Sequence, residues 1–183
     1  TIPWRSYQES MPAPCKLTTS GNYAPKHDPF LYFKDQQMGA NNLCANRNVD
    51  YTSFAPDLAA GTYRYMWITP DLADDGHNPT TNPVAALVAS DNWLKTEVPK
   101  ILDSEVFKHG GILFITWDES EGRNGDDPDL IPMLVLSSHL PHPGSTDATA
   151  FTHSSYLATI EDLFGLPRLT TVAQTPSLMP LLQ

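Results

Sequence analysis

Gly110-Gly111-Ile112-Leu113-Phe114-Ile115-Thr116-Trp117-Asp118-Glu119 is the stretch on which the reading of this chain turns. Two glycines stop the helical pattern before it, a run of apolar and β-branched residues follows, and two adjacent carboxylates close it. A continuous apolar run bounded by turn signals predicts a strand over 112–117, buried on both faces. In open α/β sheets the carboxyl ends of strands face the ligand crevice, so Asp118 and Glu119 become candidate site residues. Their hard oxygen donors suit calcium, magnesium or manganese. Side chains alternate along a strand, so both reach one ion only where the chain turns, and Gly122 and Gly125 supply material for that turn. The competing reading is a solvated acidic loop.

Similar signals recur on both sides of this stretch. Residues 2–7 alternate aromatic and polar types, and 62–69 is rich in β-branched and aromatic residues up to Pro70; both predict strands. The acidic loop Asp71-Leu72-Ala73-Asp74-Asp75-Gly76-His77-Asn78 follows the second. Residues 131–137 form another continuous apolar strand. Helices are expected over 53–60, from an N-cap at Asn82 with Pro83 at the first position, and over 153–164, where Gly165 and Pro167 stop it. Pro99 is expected to kink or restart the long second helix. Residues 15–48 read as loop, with a short helical start at Phe30 to Phe33 after Pro29. Apolar strands alternating with helices predict an α/β fold with a mostly parallel central sheet.

Composition narrows the function classes. At 183 residues and 40% hydrophobic, the chain suits a single domain, 1–183, with one sizeable core. A formal charge of -10 repels nucleic acid and anionic membranes, which excludes nucleic acid as a partner. No apolar run approaches the roughly 20 residues of a membrane span, so no stable membrane insertion is expected. A start at Thr1 rather than Met is expected of a processed chain or of a piece of something longer. Cys15 and Cys44 bracket a Pro- and Gly-containing segment, which predicts a disulfide and an oxidising compartment, with two buried thiols as the alternative.

Three histidines carry further signals. His77 lies in Asp74-Asp75-Gly76-His77-Asn78, where glycine permits close approach and carboxylates favour the imidazolium. His27, in Lys26-His27-Asp28-Pro29-Phe30, combines charge and constraint in the same way. His153 opens the last helix, where the dipole disfavours its proton and leaves a neutral, ligand-like imidazole. His77 and His27 each have a surface-loop histidine as the competing reading. His109, His139 and His142 read as ordinary surface positions. No Gly-x-Ser-x-Gly, catalytic-cysteine or Walker pattern occurs, and Ser120 beside Glu119 reads as a solvent-facing loop residue.

Five segments in this order, Trp4 to Pro12, Lys26 to Phe30, Asp74 to Asn78, Gly110 to Glu119 and Thr159 to Leu166, resemble the secreted phosphoesterase family of bacterial acid phosphatases and non-specific phospholipases C. The resemblance implies the alkaline phosphatase-like α/β/α sandwich, of which this chain supplies the C-terminal portion. It implies metal-dependent hydrolysis of phosphate esters, with phosphomonoesters favoured and phospholipase C-like diester cleavage as the variant. Asp118 and Glu119 would hold a divalent cation such as calcium or magnesium, and His27 and His77 would contact the phosphoryl group. His153 and Asp75 are additional candidates. The implied partners are a phosphate-ester small molecule or phospholipid headgroup, and an N-terminal segment as companion chain, because the family's nucleophile and second metal pair precede these motifs. The implied location is extracellular. A different class remains beside it: a non-catalytic secreted domain or inactive fragment that binds metal or a partner.

Overall fold

Tyr7, fully buried, sits at the centre of a three-stranded parallel sheet built from β1 (Trp4–Gln8), β2 (Asn48–Asp50) and β3 (Tyr65–Thr69) in the order β2-β1-β3. Tyr7 stands opposite Val49 on one side and Ile68 on the other. The computed structural model describes residues 1–38, 42–77, 83–120 and 130–183. The chain divides into two units, 1–106 and 107–183.

In the first unit, alternation along β1 separates two chemistries. Tyr7 points to an apolar cluster with Val49, Phe54 and Leu58, joined by Met66, Ile68 and Ile101. Fully burying side chains of this size stabilises by about 1.5 to 3 kcal/mol each. Ser6, Gln8 and Asn48 point the other way and are buried too, so their polar atoms need partners. Ser6 Oγ donates to Asp28 Oδ1 at 3.3 Å, and Gln8 Nε2 donates to Ser6 Oγ at 2.9 Å and Thr69 Oγ1 at 3.1 Å.

The segment expected as loop, 15–48, contains short helices α1 (Lys34–Met38) and α2 (Leu43–Arg47) and two 3-10 turns, and it ends on the first residue of β2. A strand of three residues is too short to show a period, and its pairing with β1 is what forms it. The Cys15–Cys44 disulfide is present, with Cα atoms 5.5 Å apart, and Cys15 N–H donates to Asn48 O at 2.9 Å. The bridge therefore ties the loop to the start of β2. Helix α3 (Phe54–Ala60) ends at Gly61, whose left-handed φ of 63° lets its N–H reach Asp57 O and Leu58 O. Helix α4 (Pro83–Leu102) runs unbroken through Pro99 instead of restarting there; the Asn82 cap lies outside the described residues.

Helix α5 (Glu105–Lys108) carries the division between units. In the second unit, β4 (Ile112–Thr116) pairs with β5 (Met133–Ser137), Ile112 opposite Ser137 and Thr116 opposite Met133. This pair is antiparallel. The parallel expectation holds for the first unit and not here, because an apolar run encodes burial and not direction. Helix α6 (His153–Leu163) buries Ser155, Ala158, Thr159 and Glu161, and Phe114 of β4 meets Tyr156 edge-on at 5.3 Å between ring centroids. No helix among the described residues is long and apolar enough to cross a membrane.

Candidate active site

The carboxyl ends of β1 and β3 lie side by side, because Gln8 pairs with Thr69, and the residues just beyond them meet. Glu9 Oε2 accepts from Asp71 N–H at 3.0 Å and Glu9 Oε1 from Trp93 Nε1 of α4 at 3.1 Å. Ser10 adopts a left-handed φ of 59°, uncommon for a residue with a Cβ, and its hydroxyl donates to Asp71 Oδ2 at 2.6 Å. Asp71 Oδ1 accepts from Ala73 N–H at 2.8 Å. Glu9, Asp71 and Asp74 thereby bring ligand oxygens within 4.8 Å of one another, a set able to hold a cation. Burial raises the Glu9 carboxyl, the Asp71 and Trp93 N–H groups oppose that rise, and the charges of Asp71 and Asp74 add to it. Asp74 is raised by burial and then by Asp71 and Asp75. Sequence reading missed Glu9 and Asp71 as site residues; their position one or two places beyond paired strand ends was the available signal.

On the same edge, His27 ends the 3-10 turn Pro25–His27 and is half-buried, with its carbonyl 3.4 Å from the Thr69 hydroxyl that donates to it. Asp28 follows and caps the next turn, Pro29–Tyr32, accepting Phe30 N–H at 3.3 Å. Burial pushes its carboxyl up to about 6, against the Phe30 and Ser6 donors. Asp75 connects the two histidine loops. Its Oδ1 accepts from His77 N–H at 2.9 Å, and its Oδ2 lies 3.8 Å from His27 Nδ1. Gly76 makes the link possible at φ 86°, a conformation that side chains rarely adopt. The His77 ring is exposed, and Asn78 lies outside the described residues. The first unit thus brings His27, Asp75 and His77 together.

In the second unit, Asp118 and Glu119 follow β4 after Trp117 and are exposed. Neither carboxylate accepts a hydrogen bond among the described residues, and the turn assigned to Gly122 and Gly125 lies outside them. His153 Nε2 is 2.6 Å from the Asp118 carbonyl. A carbonyl only accepts, so Nε2 carries the proton and is not a lone pair for a metal. Asp118 and Glu119 offer hard oxygens of the type a divalent cation takes, with no competing donor among the described residues. Glu9 and Asp71 fit it less well, since each oxygen already takes a donor.

The Phosphoesterase family model matches residues 1–167. The chain is 28% identical over 177 residues to a phosphate-repressible acid phosphatase of Penicillium chrysogenum, covering 92% of this chain and 40% of that protein. It is 29% identical to an acid phosphatase of Aspergillus niger, with 92% and 40% covered. It is also 25% identical to a phosphatidylinositol-3-phosphatase of Mycobacterium tuberculosis, with 93% and 51% covered. The chain spans about 40% of the length of the fungal relatives it matches.

Proposed function

The chain belongs to the phosphoesterase family, and we propose that residues 1–183 act as one domain in the metal-dependent hydrolysis of phosphate esters, with phosphomonoesters as substrates. One observation carries the reading: the family match runs across both histidine loops and the carboxylate pair. Relatives named as phosphatases support monoesters over phospholipase C-like diester cleavage.

Asp118 and Glu119 are assigned to the cation, and their exposed oxygens, free of donors among the described residues, support that. A divalent ion bound there supplies charge neutralisation of the phosphoryl oxygens and polarises the P–O bonds. His27 and His77 are assigned to the phosphoryl group, where imidazole N–H donors stabilise charge developing on oxygen. Asp75 fixes the His77 backbone and faces His27, which restrains both loops at the strand edge. The nucleophile is assigned to the N-terminal segment that the family carries. The Cys15–Cys44 bridge supports an extracellular location.

The test is hydrolysis of p-nitrophenyl phosphate and of phosphatidylcholine, by the chain and by a version extended with the family's N-terminal segment, with added Mg²⁺ or Ca²⁺ and with chelator. Cation-dependent release of p-nitrophenol by the extended form is expected. Hydrolysis that survives chelation removes the metal, and no hydrolysis in any form favours the non-catalytic reading.

A further inference from the structure

Helix α6 touches the β4 segment at two points on one helical face. Tyr156 meets Phe114 with rings at 75°, and His153, one turn earlier, reaches the backbone carbonyl of Asp118 four residues beyond Phe114. The helix is itself anchored from below. Thr152 N–H donates to Ser155 Oγ at 3.1 Å, Thr159 Oγ1 accepts from Leu178 N–H at 2.8 Å, and Glu161 Oε1 accepts from Leu169 N–H at 3.2 Å. A strut held this way fixes where His153 stands. The imidazole donates to the main chain of the residue whose side chain, with that of Glu119, leaves the strand end.

We infer that His153 is a positioning residue for the carboxylate pair: its Nε2–H clamps the Asp118 carbonyl and sets the direction in which the Asp118 and Glu119 side chains project. The inference rests on the reading that this pair holds a divalent cation. A ligand's own orientation is set by the groups that bond behind it, so a clamp on the main chain of the first ligand acts on both carboxylates at once. His153 does so without contributing a ligand atom through Nε2.

Three measurements on the 183-residue chain separate this inference from the reading beneath it. Long-range ¹H–¹⁵N spectra are expected to show neutral His153 as the Nε2–H tautomer; the Nδ1–H tautomer overturns the clamp. Amide exchange of residues 117–120 is expected to speed up about three- to tenfold in His153→Ala, the equivalent of one lost hydrogen bond. In His153→Gln, whose amide can donate to the same carbonyl, exchange is expected to stay within about twofold of the wild type. Unchanged exchange in His153→Ala overturns the proposal. Mn²⁺ binding followed by electron paramagnetic resonance is expected to weaken by a similar factor in His153→Ala and to recover in His153→Gln. Equal Mn²⁺ affinity of His153→Ala and wild type, where Asp118→Ala loses binding, overturns the positioning role. Equal affinity of Asp118→Ala and wild type counts instead against the metal assignment, and the tautomer and exchange data then decide the clamp alone.

Discussion

Both units end strands in acidic residues, but they use them in opposite ways. At the β1/β3 edge, Glu9 and Asp71 accept hydrogen bonds from Asp71 N–H, Trp93, Ser10 and Ala73, and Asp75 accepts from His77 N–H. These carboxylates hold loops. At the end of β4, Asp118 and Glu119 keep their oxygens free of donors among the described residues, while the backbone behind them is held by His153. The difference follows from burial. A carboxylate at a sheared-off strand end covered by loops must find donors or lose its charge, whereas an exposed one is solvated and available. In the proposed reading, acids spent on hydrogen bonds hold loops, and acids left unspent bind the cation.

The substitution with the largest expected effect goes to the unspent pair. In the form extended with the family's N-terminal segment, Asp118→Ala is expected to lower kcat for p-nitrophenyl phosphate by on the order of 100-fold or more, with little change in melting temperature, because it removes the proposed metal ligand and no side-chain hydrogen bond found among the described residues. Full activity in that variant breaks the comparison at once. Next comes the staple of the first unit. Reducing or replacing Cys15–Cys44, which closes a separation of 29 residues, is expected to cost about 3 to 4 kcal/mol of stability in the chain-entropy model. Denaturant titration with and without reductant measures it.

Asp28 sharpens the same contrast through pH. Its folded-state carboxyl is held at about 6 by burial, above the ordinary value of about 3.8. The stabilisation from its protonated form is therefore complete below about pH 4 and is lost as pH rises through about 6, amounting to about 2 to 3 kcal/mol. Unfolding free energies between pH 4 and pH 7 are expected to fall in the wild type and to flatten in Asp28→Asn. An unchanged slope in that variant removes Asp28 as the cause.

How much of this was legible in the sequence depends on whether a signal is local. The strand before Asp118 was legible, since two glycines, an apolar run and two acids lie within ten residues. So were the edges of β1 and β3 and the last helix. The antiparallel sense of β4 and β5 was not, because direction is set by the connection and not by the apolar residues. Strand β2 was not recognised, having three residues and no period of its own, and its first residue, Asn48, fell in the segment read as loop. Glu9 and Asp71 are 62 positions apart and look like ordinary surface acids until the pairing of Gln8 with Thr69 places them together. His27 and His77 were named from local composition and Asp75 as an additional candidate, but that this carboxylate lies between the two histidine loops follows from the fold alone.

The smallest effect tests whether Glu9 and Asp71 are as fully spent as their hydrogen bonds indicate. Glu9→Gln keeps the shape of the side chain and one acceptor oxygen, so it satisfies either Trp93 or the Asp71 N–H and leaves the other donor without its carboxylate partner. Losing that bond is expected to cost about 1 to 2 kcal/mol. The cost stays small because burial and the neighbouring charges of Asp71 and Asp74 already disfavour the ionised Glu9. Mn²⁺ binding is expected to be unchanged, in contrast to Asp118→Ala. If Glu9→Gln leaves stability intact but weakens Mn²⁺ binding, then Glu9, Asp71 and Asp74, whose oxygens lie within 4.8 Å of one another, are a cation site in their own right. The division between acids that build and acids that bind would then fail at the first unit, where the structure draws it most sharply.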